Sequence, residues 1–392
     1  MGGAFVSGDG TGYDAARIEV LQGREAVRKW PGMWIGSTGE RGLHGLVFEV
    51  VGRAVNQVLS GGGGCVDVTL TLDGCVRVAD DGPGVPFDAT GDADRPDLEA
   101  LLTRMPAGPQ PAGWCIGAIS YFSAGLFVVN ALSSRLTAEA QGAGAGRVVR
   151  EYARGVPVAP PTAVGLATGS GTTIAFWPDT EIFTTTRCSF AVLAERFRQV
   201  AFLNRGLEIS LTDERPVAGP RAVSFRFPDG VRDFVAALNA ETGPFLHPDV
   251  IGFERQDPRI AGTMEVALLW SDAHEERLRS FANSRATSQG GTHVDGFRDG
   301  VATAVIGYAR EQGLLAAADP DPRADQISEG LTAVVSVRLD QPEFLGSTRE
   351  QLGNTDVRDC VEEAVREHLG NWLKEHPEQA AEIVNRILGV AA

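Results

Sequence analysis

The chain has 392 residues, is 43% hydrophobic and 22% charged, and carries a formal net charge of −16. That length accommodates two or three domains with separate cores, and the composition is that of an ordinary globular protein. No apolar run reaches the roughly 18 residues of a membrane span, and a nucleic-acid partner is disfavoured because phosphate binding needs clustered Lys and Arg.

The N-terminus, Met1-Gly2-Gly3-Ala4-Phe5, lacks the basic-then-apolar order of a signal peptide, so a cytoplasmic protein is expected. Ile18–Lys29 has helical apolar spacing and ends at Pro31-Gly32; its basic cluster, Arg24 to Lys29, is short and interrupted by Glu25. Leu43–Leu59 is a second helix, apolar at Leu46, Val47, Val50, Val51, Ala54, Val55 and Val58 and closed by Gly61–Gly64. Cys65–Leu72 and Cys75–Ala79 alternate around Asp73-Gly74, which predicts a two-residue hairpin. Phe87–Pro111 reads as a loop around one short helix, Asp97–Arg104, and Phe127–Leu132 as a buried helix. Strands are expected at Arg147–Tyr152, Thr172–Phe176 and Leu207–Leu211, with a helix at Ala191–Leu203.

From Ala222 onward, through Phe227-Pro228-Asp229-Gly230, strand and helix alternate again. Ala222–Phe227, Met264–Trp270 and Leu331–Leu339 read as strands; Gly230–Leu238, Val294–Gln312, Thr355–Glu375 and Gln379–Ile387 read as helices. A boundary there divides the chain into 1–227 and 228–392. The cysteines, Cys65, Cys75, Cys115, Cys188 and Cys360, are odd in number and scattered, which predicts reduced, mostly buried thiols and no metal site.

With these residues in view, the chain resembles the N-terminal, ATPase half of the gyrase B family, within the GHKL superfamily. The resemblance rests on Val20-Leu21-x-Gly23-x-Glu25-Ala26-Val27-Arg28-Lys29-x-Pro31-Gly32-Met33, Phe48-Glu49-Val50-Val51 and Asp80-Asp81-Gly82-x-Gly84-Val85-Pro86. It continues through Val128-Val129-Asn130-Ala131-Leu132-Ser133, Phe176-Trp177-Pro178-Asp179 and Gly290-Gly291-Thr292-His293. It implies an α+β fold: a Bergerat-type two-layer α/β sandwich on an open antiparallel sheet, followed by a transducer domain resembling the βαβ fold of ribosomal protein S5. Nothing corresponds to the metal-binding, DNA-cleaving half, so this chain is not expected to break DNA by itself.

The resemblance also implies roles. Glu49 matches the general base that activates water against a terminal phosphate, a task suited to a carboxylate. Asp80 matches the acid that reads the adenine amino group, Thr172 its support, and Gly84 the glycine that lets a base approach the backbone. Arg53 stands where the family has a magnesium-binding Asn. A guanidinium cannot ligate a cation, and four residues from Glu49 it shares a helix face with that carboxylate and can pair with it. The phosphate end differs most. Met105–Ser134 contains no Lys, Arg, His, Asp or Glu, where about six or seven charged residues would be expected. Of the clustered loop glycines only Gly125 survives, near bulky Tyr121 and Phe122, and the transducer's Gln-x-Lys contact reads Ser347-Thr348-Arg349.

An uncharged, aromatic surround suits an organic ligand better than a triphosphate. The expectation is a repurposed pocket that binds a non-nucleotide small organic molecule. Glu49 and Arg53 are its candidate catalytic groups, for an acid/base, cyclisation or elimination step in specialised metabolism. Asp80, Gly84, Thr172, Tyr121, Phe122 and Arg349 are its candidate ligand contacts. ATP and magnesium are expected to bind weakly or not at all. The alternatives are a decoy or immunity homologue that binds gyrase inhibitors or gyrase subunits, and a residual ATP-hydrolysing enzyme. A homodimer through an N-terminal arm around Tyr13 and Ile18 is expected in each case.

Overall fold

A computed structural model describes residues 23–85, 97–105, 125–141, 146–166, 169–240, 246–346 and 348–389. Tyr121, Phe122, Cys115, Ser347, most of the uncharged stretch and the arm residues Tyr13 and Ile18 lie outside them. Helices α1 (Arg24–Lys29) and α2 (Gly32–Ile35) lead into α3 (Glu40–Ser60). Glu40 stands in the first turn of α3, where the helix dipole favours an anion, and the Gly61 N–H closes its last turn. Leu43, Leu46, Val47, Val50, Ala54 and Val58 recur every three or four residues and are buried, a stripe that packs on β1 (Gly64–Leu70) and β2 (Val76–Asp80).

The expected two-residue turn between those strands is a three-residue loop. Thr71 N–H donates to Cys75 O at 3.0 Å and Gly74 N–H to Thr71 O at 3.2 Å, with Gly74 in the left-handed region at φ 82°. Asp-Gly thus serves a turn followed by a bulge.

Next come α4 (Leu98–Thr103) and α5 (Gly125–Ala131). Asp97 caps α4 by accepting from Ala100 N at 2.6 Å. Strands β3 (Ser133–Gln141), β4 (Gly146–Ala153), β5 (Val156–Pro157), β6 (Thr162–Leu166) and β7 (Gly171–Pro178) follow, then α6 (Phe190–Leu203), β8 (Leu207–Asp213) and β9 (Arg221–Phe225). The sheet runs β5-β4-β3-β7-β2-β1-β8-β9, with β6 beside β4. The expected antiparallel sheet is in fact mixed, because β1 and β8 pair in parallel. The chain reaches β8 from the long α6, and such a crossover sets a strand parallel to its neighbour.

After β9, α7 (Val231–Asn239) precedes β10 (Ile251–Asp257), a 3-10 turn at Pro258–Ile260, β11 (Gly262–Trp270), β12 (Arg277–Ala282) and β13 (Arg285–Ala286). Then follow α8 (Thr292–Glu311), α9 (Ala324–Ser328), β14 (Leu331–Leu339), the hairpin β15 (Phe344–Leu345) and β16 (Gln351–Leu352), α10 (Thr355–Glu375) and α11 (Pro377–Leu388). The second sheet has the order β10-β11-β14-β12-β13, with β12 and β14 parallel. Gly296 and Gly300 lie inside α8, where glycine disfavours helix, because α10 crosses there. A Cβ would stand 2.2 Å from Arg358 O at Gly296 and 2.7 Å from Glu362 O at Gly300.

The end of α6 joins the two sheets. Phe202 stacks on Phe234 with ring centroids 4.7 Å apart, Asn204 Nδ2 donates to Ser284 Oγ at 3.3 Å, and Arg205 pairs with Glu265.

Candidate ligand-binding site

α3, β2, β7 and the start of α5 bring four of the expected residues into one neighbourhood. Glu49 lies on the buried side of α3, and its Oε2 accepts the Gly125 N–H at 2.9 Å. That amide begins α5. A carboxylate of the chain itself therefore occupies the position at this helix start that an incoming anion would seek.

Arg53 follows one turn later. Among the described residues it pairs with Asp80, and not with Glu49 as the helix spacing suggests: Nη1 lies 3.8 Å from Asp80 Oδ2. β2 packs against α3, and its last residue brings the Asp80 carboxylate to the guanidinium. The Arg53 side chain is 12% exposed, and its Nε and Nη2 are buried without a hydrogen-bond partner among the described residues. Burial lowers its pKa, and the Asp80 charge opposes that shift.

Asp80 is the last residue of β2 and its side chain is 2% exposed. Its Oδ1 accepts the Gly82 N–H at 3.1 Å and the Thr172 N–H at 3.3 Å. Burial pushes its pKa up to about 6, against the pull of Arg53 and of the two amides. Thr172 faces Asp80 in the β2–β7 register, and its Oγ1 is buried without a partner among the described residues. Gly84 closes the turn at φ 75°, where a Cβ would stand 2.4 Å from Gln141 O. Packing of backbone on backbone therefore requires this glycine, whether or not a ligand is bound.

Arg349 is brought elsewhere. It is exposed, with φ 55°, in the loop of the β15–β16 hairpin. Among the described residues, no hydrogen bond or ion pair joins it to Glu49, Arg53, Asp80 or Thr172.

Two supports of this region were not foreseen. Asn130 is fully buried and its Nδ2 donates to Leu102 O at 3.0 Å, tying α5 to α4. Asp179, 1% exposed, receives Arg28 at 2.8 Å and Arg154 at 3.2 Å. Arg28 also donates to Ala131 O at 2.8 Å. Asp179 lies in the Phe-Trp-Pro-Asp motif, but its partners are far away in sequence, so no local signal announces them. Part of the basic Arg24–Lys29 cluster is thus committed inside the molecule.

The described cysteines, Cys65, Cys75, Cys188 and Cys360, are free thiols. No group of His, Cys, Asp or Glu among the described residues is arranged to hold a metal ion, and none of their helices is long and apolar enough to cross a membrane.

A profile of the DNA gyrase B family matches residues 230–392. The DNA gyrase B protein of Streptomyces coelicolor is 42% identical over 391 residues, covering 95% of this chain and 57% of that protein. The novobiocin-resistant gyrase B protein of Streptomyces niveus is 42% identical over 393 residues, covering 97% and 58%. The chain thus spans a little over half the length of these curated relatives. The 43K ATPase domain of Thermus thermophilus gyrase B, solved with an aminocoumarin, superposes with a TM-score of 0.81 at 31% identity over 95% of both chains. The mixed sheets with their covering helices are those of this ATPase fold, and the chain belongs to the DNA gyrase B family.

Proposed function

We propose that this gyrase-B-like chain uses its pocket to bind a small organic molecule other than magnesium-ATP. The observation that carries the reading is Arg53, nearly buried and 3.8 Å from Asp80, at the position where the family resemblance places a magnesium-binding Asn. A divalent ion about 4 Å from a guanidinium meets a repulsion on the order of 8 kcal/mol at an effective dielectric near 20. Glu49 adds to this by holding the Gly125 amide at 2.9 Å, at the helix start a phosphate would need. The Asp80–Thr172 end keeps the polar groups that would read a heterocycle. In this proposal Glu49 and Arg53 act on the bound molecule. Asp80, with a pKa of about 6, is poised to exchange a proton near neutral pH.

Calorimetric titration with a non-hydrolysable ATP analogue, with and without Mg²⁺, tests this. The expected result is weak binding that magnesium does not improve. Tight, magnesium-dependent binding would establish a working ATPase and overturn the proposal.

A second reading is sequestration of gyrase inhibitors or pairing with gyrase subunits. What supports it is the Asp80–Thr172 pair together with the aminocoumarin-bound relative from Thermus thermophilus, which superposes over 95% of both chains. The Gly142 position, where the family resemblance places an inhibitor-contacting Arg, lies outside the described residues. Submicromolar binding of an aminocoumarin would support sequestration, and loss of that binding in Asp80→Asn would place the drug at this pocket. A homodimer belongs to both readings, and sedimentation of the full chain measures it.

A further inference from the structure

We infer that the ligand is an organic monoacid whose carboxylate docks on the Nε–Nη2 edge of Arg53. This rests on the reading of the pocket as a non-nucleotide site and names the ligand class. A guanidinium presents its five N–H groups on three edges. The Nη1 corner of Arg53 faces Asp80 Oδ2 at 3.8 Å. On another edge the Nε–H and one Nη2–H project side by side, with the spacing of two carboxylate oxygens. Both of those nitrogens are buried and neither meets an acceptor among the described residues.

Buried donors left unpaired are unfavourable, and more so on a charged group. The group that completes this edge is therefore a pair of oxygens from outside the protein. Charge selects the kind of acid. With the Asp80 carboxylate 3.8 Å from Nη1 and Glu49 one turn back on α3, a dianionic phosphate monoester would meet twice the repulsion that a monoanion does at this edge. Two further groups specify the rest of the molecule. Asp80 Oδ2 is not hydrogen-bonded to Arg53, whose Nη1 is beyond hydrogen-bonding reach at 3.8 Å, and it is the acceptor for a ligand N–H or O–H. Thr172 Oγ1, buried without a partner among the described residues, lies on the strand paired with Asp80 and supplies a third polar contact. The ligand class is an acid that carries a hydrogen-bond donor roughly one ring's width from its carboxylate.

A matched pair of probes, 4-aminobenzoate and 4-aminobenzamide, tests this by calorimetric titration of the full chain in EDTA, with inorganic phosphate as a third titrant. The acid is expected to bind at least about tenfold more tightly than the amide, a difference of about 1.4 kcal/mol, and phosphate not to compete. Arg53→Gln should bring acid and amide within about twofold. Arg53→Lys, which keeps the charge without the fork, should retain less than about threefold preference. Circular dichroism establishes that each variant is folded. In arginine-¹⁵N-labelled protein the Arg53 Nε–H resonance should move with the acid and stay still with the amide.

Equal affinities, no binding of either probe, an unmoved Nε–H resonance, or an acid preference that survives Arg53→Gln would each overturn the inference. Amide binding that is lost in Asp80→Asn, with no acid preference, would remove the carboxylate assignment and keep the non-nucleotide pocket. Tight magnesium-dependent binding of an ATP analogue would remove the pocket reading itself.

Discussion

Replacing Asp80 by Asn should stabilise the protein at neutral pH, although it deletes one partner of a nearly buried ion pair. Burial holds the Asp80 pKa at about 6, against an ordinary 3.8. A carboxyl raised in the folded state binds its proton more tightly there than in the unfolded chain. Its favourable contribution is complete below pH ~4 and is lost as the pH rises through ~6. The shift is about two pKa units at 1.36 kcal/mol each, so ionised Asp80 destabilises the folded state by roughly 3 kcal/mol at pH 7. Asn keeps an oxygen for the Gly82 and Thr172 amides, which now donate at 3.1 and 3.3 Å, and carries no charge to desolvate. Urea unfolding at pH 4.5, 5.5, 6.5 and 7.5 should show the variant close to wild type at the acid end and roughly 1–3 kcal/mol more stable at pH 7.5. A variant that is less stable at pH 7.5, with curves parallel across the range, would refute this balance of burial and charge. An acid kept at such a cost to stability is characteristic of a group retained for a ligand.

Three further outcomes follow from the same geometry. Arg53→Met removes the cation that pulls the Asp80 pKa down, so a ¹³C titration of the Asp80 carboxyl should move upward from about 6; an unchanged or lower midpoint would show that the two groups do not interact. Gly296→Ala drives a Cβ to 2.2 Å from Arg358 O and should lower stability by about 2 kcal/mol or more. Gly307→Ala on the same helix meets nothing within 4 Å and should be neutral or stabilising by about 0.5–1 kcal/mol, so equal melting temperatures for the two variants would contradict the α8–α10 packing. His293 is fully buried, which lowers its pKa to about 4. A histidine depressed in this way stabilises above the unfolded value near 6.5 and loses that contribution as the pH falls toward 4, up to about 3 kcal/mol. His293→Gln should flatten the stability–pH curve between 6.5 and 4, and an unflattened curve would place the acid sensitivity elsewhere.

The long helices and the apolar strands are legible in the amino-acid pattern alone. Leu43–Leu59 and Thr355–Glu375 have enough periodic residues for their buried stripes to declare themselves, and α3 and α10 run over nearly those residues. The motifs also mark the family, and they offer Glu49, Asp80, Gly84 and Thr172 as candidate site residues because these sit in short runs whose order survives in this chain. What it did not announce were strands whose burial comes from their neighbours. β3 is central, between β4 and β7, yet its inward residues are Leu136, Ala138 and Ala140, and alanine has little strand preference of its own. β10 holds Glu254, Arg255 and Asp257 within seven residues, β12 alternates Arg277 and Arg279 with Leu278 and Ser280, and neither shows an apolar run. The partner of Arg53 is set by how distant elements pack. Helix spacing offers Glu49 on the same face, but β2 places Asp80 under the guanidinium while Gly125 claims Glu49. A charge is satisfied by whatever lies nearest in three dimensions, and that depends on how strands and helices far apart in the chain come together.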